Sequence, residues 1–235
     1  MLSLCFQRRP ILVTILLLGT CVIAFLHASP KAGQGRLPDC LNSNQNDIPF
    51  ELFNHPECKE DNAKVSTYHE VIETEKMFGL TSDDITFIGC AAAPFSTRMV
   101  DSDPPFHFEI LYTINPTFTS AKYVAPILHE IGHAYQFKKA GSANKLFESP
   151  IERLELGADF LAGIAAARLG FKNPSIFEQT LSLVGNYQGT ENYHGTPENR
   201  TKSFRYGFFY EPASAVDSSY KDFQDNLFSQ AKDSS

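Results

Sequence analysis

His129-Glu130-Ile131-Gly132-His133 is the stretch whose residue types and spacing point most directly to chemistry. It fits the HExxH pattern inside a segment, 123–140, whose apolar residues recur at helical spacing. Residues i and i+4 share a helix face, so both imidazoles can converge on one ion while Glu130 points toward that ion's open side. Two imidazoles on a rigid backbone suit zinc, and a catalytic zinc takes three protein ligands and a water. The chemistry would then be hydrolytic: Glu130 activates a zinc-bound water against a carbonyl polarised by the metal, then passes the proton to the leaving amine. Two histidines hydrogen-bonded at a surface are the alternative. Val124, Ile127 and Leu128 weigh against it by making this helix a core element.

A third ligand is expected from another element, and the next helical segment supplies one. Glu155 follows His133 by twenty-two positions and Asp159 comes one turn later on the same face. Gly157, Ala158, Ala162 and Gly163 would let this helix pack closely. Glu155 is therefore the expected third metal ligand, and Asp159 the acceptor of the Nδ1 proton of a ligating imidazole. A solvated or salt-bridged carboxylate is the commoner fate of a lone helical Glu, but here two signals meet at a helix-turn-helix distance. A three-histidine layout is excluded, because the positions that would carry its Gly and third His hold Gln136 and Lys139.

HEIGHAYQ at 129–136, ELGADFLAG at 155–163 and HGTPENR at 194–200, in that order, resemble the neutral zinc metallopeptidases of bacteria, within the gluzincin group. The resemblance covers about 89–210. It implies a zincin-like fold, zinc held by His129, His133 and Glu155, and Glu130 as catalytic base. Family members carry a second cysteine soon after the first in this region, whereas here Gly89-Cys90-Ala91 is followed by Pro94-Phe95-Ser96. His194, in the third motif and just before a helix start, is the first candidate for the oxyanion donor, with Tyr193 and Tyr206 behind it. A capping or loop-packing imidazole is an equally good account of His194. Arg200 could pair with Glu155 or Asp159, an exposed charge being the default for an arginine.

The elements that must position these residues follow from periodicity and punctuation. A helix is predicted over 63–78, ending at Gly79, then strands at 85–88 and 106–114, the second either a strand for pairing with an extended substrate or equally an internal core strand. The HExxH helix should stop at Gly141, with Pro126 either in its first turn or kinking it. Ser149, Pro150 and Glu152 read as N-cap, first helical residue and capping-box partner of a helix ending at Gly170. Asn173-Pro174 and Thr196-Pro197 repeat the device, opening helices to about 184 and 209. A final amphipathic helix presents Tyr220, Phe223, Leu227 and Phe228. Early strands followed by helices predict an α+β domain, mostly helical with a small N-terminal sheet.

The start of the chain is a different object. Arg8 and Arg9 precede an uncharged apolar run at 11–26, and the first 36 residues contain no acid. This reads as an export signal over 1–28, either cleaved or kept as a single membrane anchor, followed by a linker at 29–47 and the folded domain at 48–235. Leu26 fits the small-residue cleavage rule poorly, which favours the anchor. Function is expected outside the cytoplasm, on the periplasmic or extracellular side. There one disulfide among Cys40, Cys58 and Cys90 is plausible, Cys40 with Cys58 being favoured and buried thiols the alternative for Cys90.

The chain carries 20 Lys and Arg against 27 Asp and Glu, a net charge of −7, which offers no basic excess to a nucleic acid. The expected partners are a peptide or protein substrate and, with an uncleaved anchor, the membrane. The expected activity is zinc-dependent peptide-bond hydrolysis. An inactive zincin serving as an envelope scaffold or peptide-binding protein is the alternative, against which the intact Glu130 argues.

Overall fold

The structure, a computed structural model, describes residues 58–61, 64–90, 95–101, 104–114, 120–175, 177–179, 195–210 and 214–232. The chain forms a mixed α+β arrangement, mostly helical with one small sheet. β1 (Lys59–Glu60) leads through a 3-10 turn (Val65–Thr67) to α1 (His69–Met77), then come β2 (Ile85–Cys90), β3 (Ser96–Met99) and β4 (Phe108–Thr113). α2 (Ser120–Ala140), α3 (Ala143–Leu146), α4 (Ile151–Arg168) and α5 (Pro197–Phe208) follow. The last described segment is α6 (Val216–Asp222), a π-helical stretch (Phe223–Leu227) and α7 (Phe228–Lys232).

The sheet order is β1-β2-β4-β3, with β2 parallel to β4 and both end strands antiparallel to their neighbours. Alternation sorts its two faces. Ile85, Phe87, Phe108, Ile110 and Tyr112 join the main core beneath α2, while Ile88, Cys90 and Leu111 form a separate apolar patch behind. A disulfide joins Cys58 to Cys90, so the favoured Cys40–Cys58 pairing is corrected. The register explains it: Lys59 lies opposite Gly89 and Glu60 opposite Ile88, so Cys58 and Cys90 are the next facing pair. Two residues of strand carry no periodicity from which this could be read. β4 is internal, so the core-strand alternative for 106–114 holds over pairing with substrate, and β1 and β3 are the two outer strands.

α2 starts three residues before its predicted position, so Pro126 lies inside it, beyond the first turn. Burial on all sides holds the helix together despite the missing N–H, since Val124, Ile127, Leu128, Ile131, Ala134 and Phe137 are all buried. The 63–78 helix is interrupted at Tyr68, whose ψ of 133° separates the 3-10 turn from α1. Pro150 is the N-cap of α4 rather than its first residue, with an extended ψ of 139° and no side-chain cap, so the capping box does not form. The same device does work at α5, where Thr196 Oγ1 accepts from the Asn199 amide at 3.0 Å. The helix predicted after Asn173-Pro174 falls largely outside the described residues. Among the described residues no helix is long and apolar enough to cross a membrane, and the 11–26 run lies outside them.

α4 is buried almost throughout and packs against α2 on one side and α5 on the other. The small residues anticipated from sequence permit both contacts. A Cβ on Gly132 of α2 would meet the Ala158 carbonyl at 3.2 Å, and one on Gly163 would sit 2.1 Å from the Phe204 carbonyl of α5. A Cβ on Gly207 would likewise clash with the Phe160 carbonyl from the other side. These glycines let the α4 and α5 backbones touch, which is how a residue on α5 can reach the α2–α4 seam. Gly163→Ala should therefore destabilise the protein by about 2 kcal/mol in chemical denaturation, through forced separation of α4 and α5; an unchanged midpoint would contradict the close approach.

Candidate metal centre

The polar residues of α2 that resist its apolar character form one stripe. His129, His133 and Gln136 follow helical spacing toward α4, and Glu130, about 100° further round, turns toward β3. All four are buried, as are Glu155 and Asp159 on α4. His129, His133 and Glu155 bring one ligand atom each to within 4.8 Å of one another, and this group can hold a metal ion. The two Nε2 atoms lie 3.0 Å apart, with Glu155 Oε2 3.2 Å from His129 Nε2 and Oε1 3.4 Å from His133 Nε2. Ligands about 2.0–2.1 Å from a tetrahedral ion are separated by roughly 3.3 Å, so the spacing fits.

Hydrogen bonding decides which nitrogens face the centre. The Leu154 carbonyl can only accept, so Gln136 presents its amide nitrogen there at 2.8 Å, with Tyr220 Oη at 3.0 Å. Gln136 Oε1 must then face His133 Nδ1, at 2.8 Å, which makes that nitrogen the N–H. His129 Nδ1 likewise donates to Asp159 Oδ1 at 2.8 Å, the role expected for Asp159. In neutral rings both Nε2 atoms are thereby left as lone-pair donors pointing at each other and at a carboxylate, an arrangement that a proton on His129 or a metal cation would relieve.

Asp159 is itself held by Arg200, with Nε 2.8 Å from Oδ2 and Nη2 2.9 Å from Oδ1. Arg200 Nη2 also lies 3.8 Å from Glu155 Oε2. The default of an exposed arginine is overturned: Arg200 is fully buried, because the Gly163–Gly207 contact carries α5 onto the seam. Burial works against the Asp159 carboxylate, but the charges of Arg200 and His129 and their hydrogen bonds outweigh it and lower its pKa. At His129 burial, the largest influence, opposes the charged ring. Asp159 by charge and hydrogen bond, with Glu155, prevails over it and over Arg200, raising the pKa to about 9 from the protein's own groups alone.

Glu130 is pushed up, chiefly by burial, against the opposing pull of His129, His133 and Thr97. Thr97 Oγ1 lies 2.7 Å from Glu130 Oε2 and 2.9 Å from Glu130's backbone carbonyl, and Glu130 Oε1 is buried without a hydrogen-bond partner.

The structure thus brings together His129, Glu130, His133, Glu155 and Asp159. His194 and Tyr193 lie outside the described residues, and Tyr206 is half-buried beside the Leu156–Phe160 cluster. Gln136, Thr97 and Tyr220 were not anticipated. Gln136, three residues after a ligand on the same face, could have been found from helical spacing; Thr97 and Tyr220 arrive from elements whose placement no local pattern reveals.

No family model, curated protein or solved structure matches the chain. The metal centre therefore rests on its geometry. Gln136→Met should keep the fold while freeing the His133 ring, weakening metal binding about 10-fold or more in competition with a chromogenic chelator; unchanged affinity would contradict the orienting role.

Proposed function

We propose that the protein is an exported zinc-dependent peptidase with a zincin-like domain. One observation carries the reading. Beside three convergent metal-ligating groups lies a second buried carboxylate, Glu130, with one oxygen tied to Thr97 and the other uncommitted. A site that only stored a structural ion would have no use for that oxygen, and structural zinc sites are usually closed by four protein ligands.

Two imidazole nitrogens and a carboxylate are the donor set of hydrolytic zinc. Bound there, zinc would supply Lewis acidity, lowering the pKa of water and polarising a substrate carbonyl. His129 and His133 keep their Nε2 lone pairs toward the centre because Asp159 and Gln136 hold the opposite nitrogens. Glu130 takes the proton of the attacking water at Oε1 and returns it to the leaving amine. His194 is the residue nominated by sequence for the oxyanion.

β3 is an end strand of the sheet, runs beside α2 and pairs with β4. An extended peptide could add there, which moves the substrate-binding role proposed for β4 to its neighbour. The Cys58–Cys90 disulfide supports an oxidising compartment, in keeping with export through the N-terminal apolar segment.

Glu130→Gln preserves shape and removes the base. The zinc-loaded variant should retain its metal and lose at least about 100-fold of its hydrolysis of an internally quenched peptide library. Activity equal to that of the parent would defeat the mechanism, and hydrolysis absent from the zinc-loaded parent would favour the scaffold alternative.

A further inference from the structure

We propose that Thr97 is a positioning residue for Glu130, fixing the carboxyl group through Oε2 so that Oε1 alone is presented for proton transfer. The inference deepens the hydrolytic reading of the same site and rests on it. Thr97 stands on β3, an outer strand, in register with Ile110 of β4, and its side chain is 3% exposed. Arg98, the next residue, turns to the opposite face, where its Nε lies 2.6 Å from Glu109 Oε2. The strand therefore has a defined pleat that delivers the Thr97 hydroxyl to α2.

That hydroxyl has two acceptors within reach, and both belong to Glu130. It lies 2.9 Å from the backbone carbonyl and 2.7 Å from Oε2. The hydroxyl has one proton, so the two contacts are the branches of one three-centre hydrogen bond, which ties the root and the tip of the glutamate to the same point on β3. Threonine suits the task, because its branched Cβ leaves few χ1 states on a strand.

Oε1, by contrast, is buried with no hydrogen-bond partner. An unsatisfied carboxyl oxygen in a buried site is costly, so its direction must be maintained by something else. The Thr97 contact is what the structure offers, and a general base has to be held within about 0.5 Å of its productive position. A purely structural tether between β3 and α2 would need only the backbone carbonyl. The Oε2 contact is what distinguishes a positioning role.

The test compares Thr97→Val, which keeps the shape and removes the hydroxyl, with Thr97→Ser, which restores it, in the full-length protein. A stability cycle first measures the melting temperature for Thr97→Val in the parent and in a Glu130→Met background. The loss should be several degrees greater in the parent; equal losses would show that Oε2 is not engaged and would overturn the proposal. The kinetic arm uses zinc-loaded protein and the quenched peptide library. Thr97→Val should lower kcat about 10-fold or more, leave KM within about two-fold and zinc per chain unchanged, and Thr97→Ser should recover most of the loss. An unchanged kcat in an active parent would overturn the positioning role alone. A parent without hydrolysis that still shows the stability coupling would overturn the peptidase reading, and the catalytic use of Thr97 with it.

Discussion

Among the described residues, three carboxylates, those of Glu130, Glu155 and Asp159, share a fully buried site with a single guanidinium, that of Arg200. With neutral imidazoles that leaves an excess of two negative charges in a medium that solvates charge poorly. Burial drives Glu130 toward its neutral form, and at His129 burial is outweighed by Asp159 and Glu155, which draw the ring toward its charged form. A divalent cation held by His129, His133 and Glu155 would balance the same excess. The site therefore makes physical sense as a receptor for such an ion.

The helical framework is arranged around this requirement. Burying Arg200 depends on α5 reaching α4 with backbones in contact, and Gly163 and Gly207 remove the side chains that would keep them apart. Gln136 meets a similar need at the second imidazole, tying His133 to the Leu154 carbonyl and to Tyr220 of α6. The sheet contributes through Thr97, which ties Glu130 to β3. Elements from four regions of the chain thus converge on one short stretch of α2, while the Cys58–Cys90 bond fastens the far edge of the sheet that supports it.

Much of this was legible in the sequence because the signals were local. The i, i+4 spacing of His129 and His133 and of Glu155 and Asp159 places each pair on one helix face whatever the rest of the chain does. Thr196-Pro197 marks a helix start through chemistry confined to a few residues. What escaped reading depends on pairing across space. β1 and β3 are too short to show alternation, so neither the Cys58–Cys90 bond nor the approach of Thr97 to Glu130 had a local trace. Pairing of Arg200 with Asp159 was one of the options its position offered, but its burial had no local trace, being decided by glycines on two different helices. Pro150 misled in the opposite direction, its usual place at the first helical position being overridden by an extended ψ.

The central claim is that His129, His133 and Glu155 together hold one zinc ion. The most direct measurement is zinc per chain by elemental mass spectrometry on the purified full-length protein after reconstitution and removal of excess metal, beside Glu155→Ala. The account predicts about one zinc per chain in the parent and clearly less in the variant. A folded parent that retains no zinc, or a variant that retains as much as the parent, would contradict it.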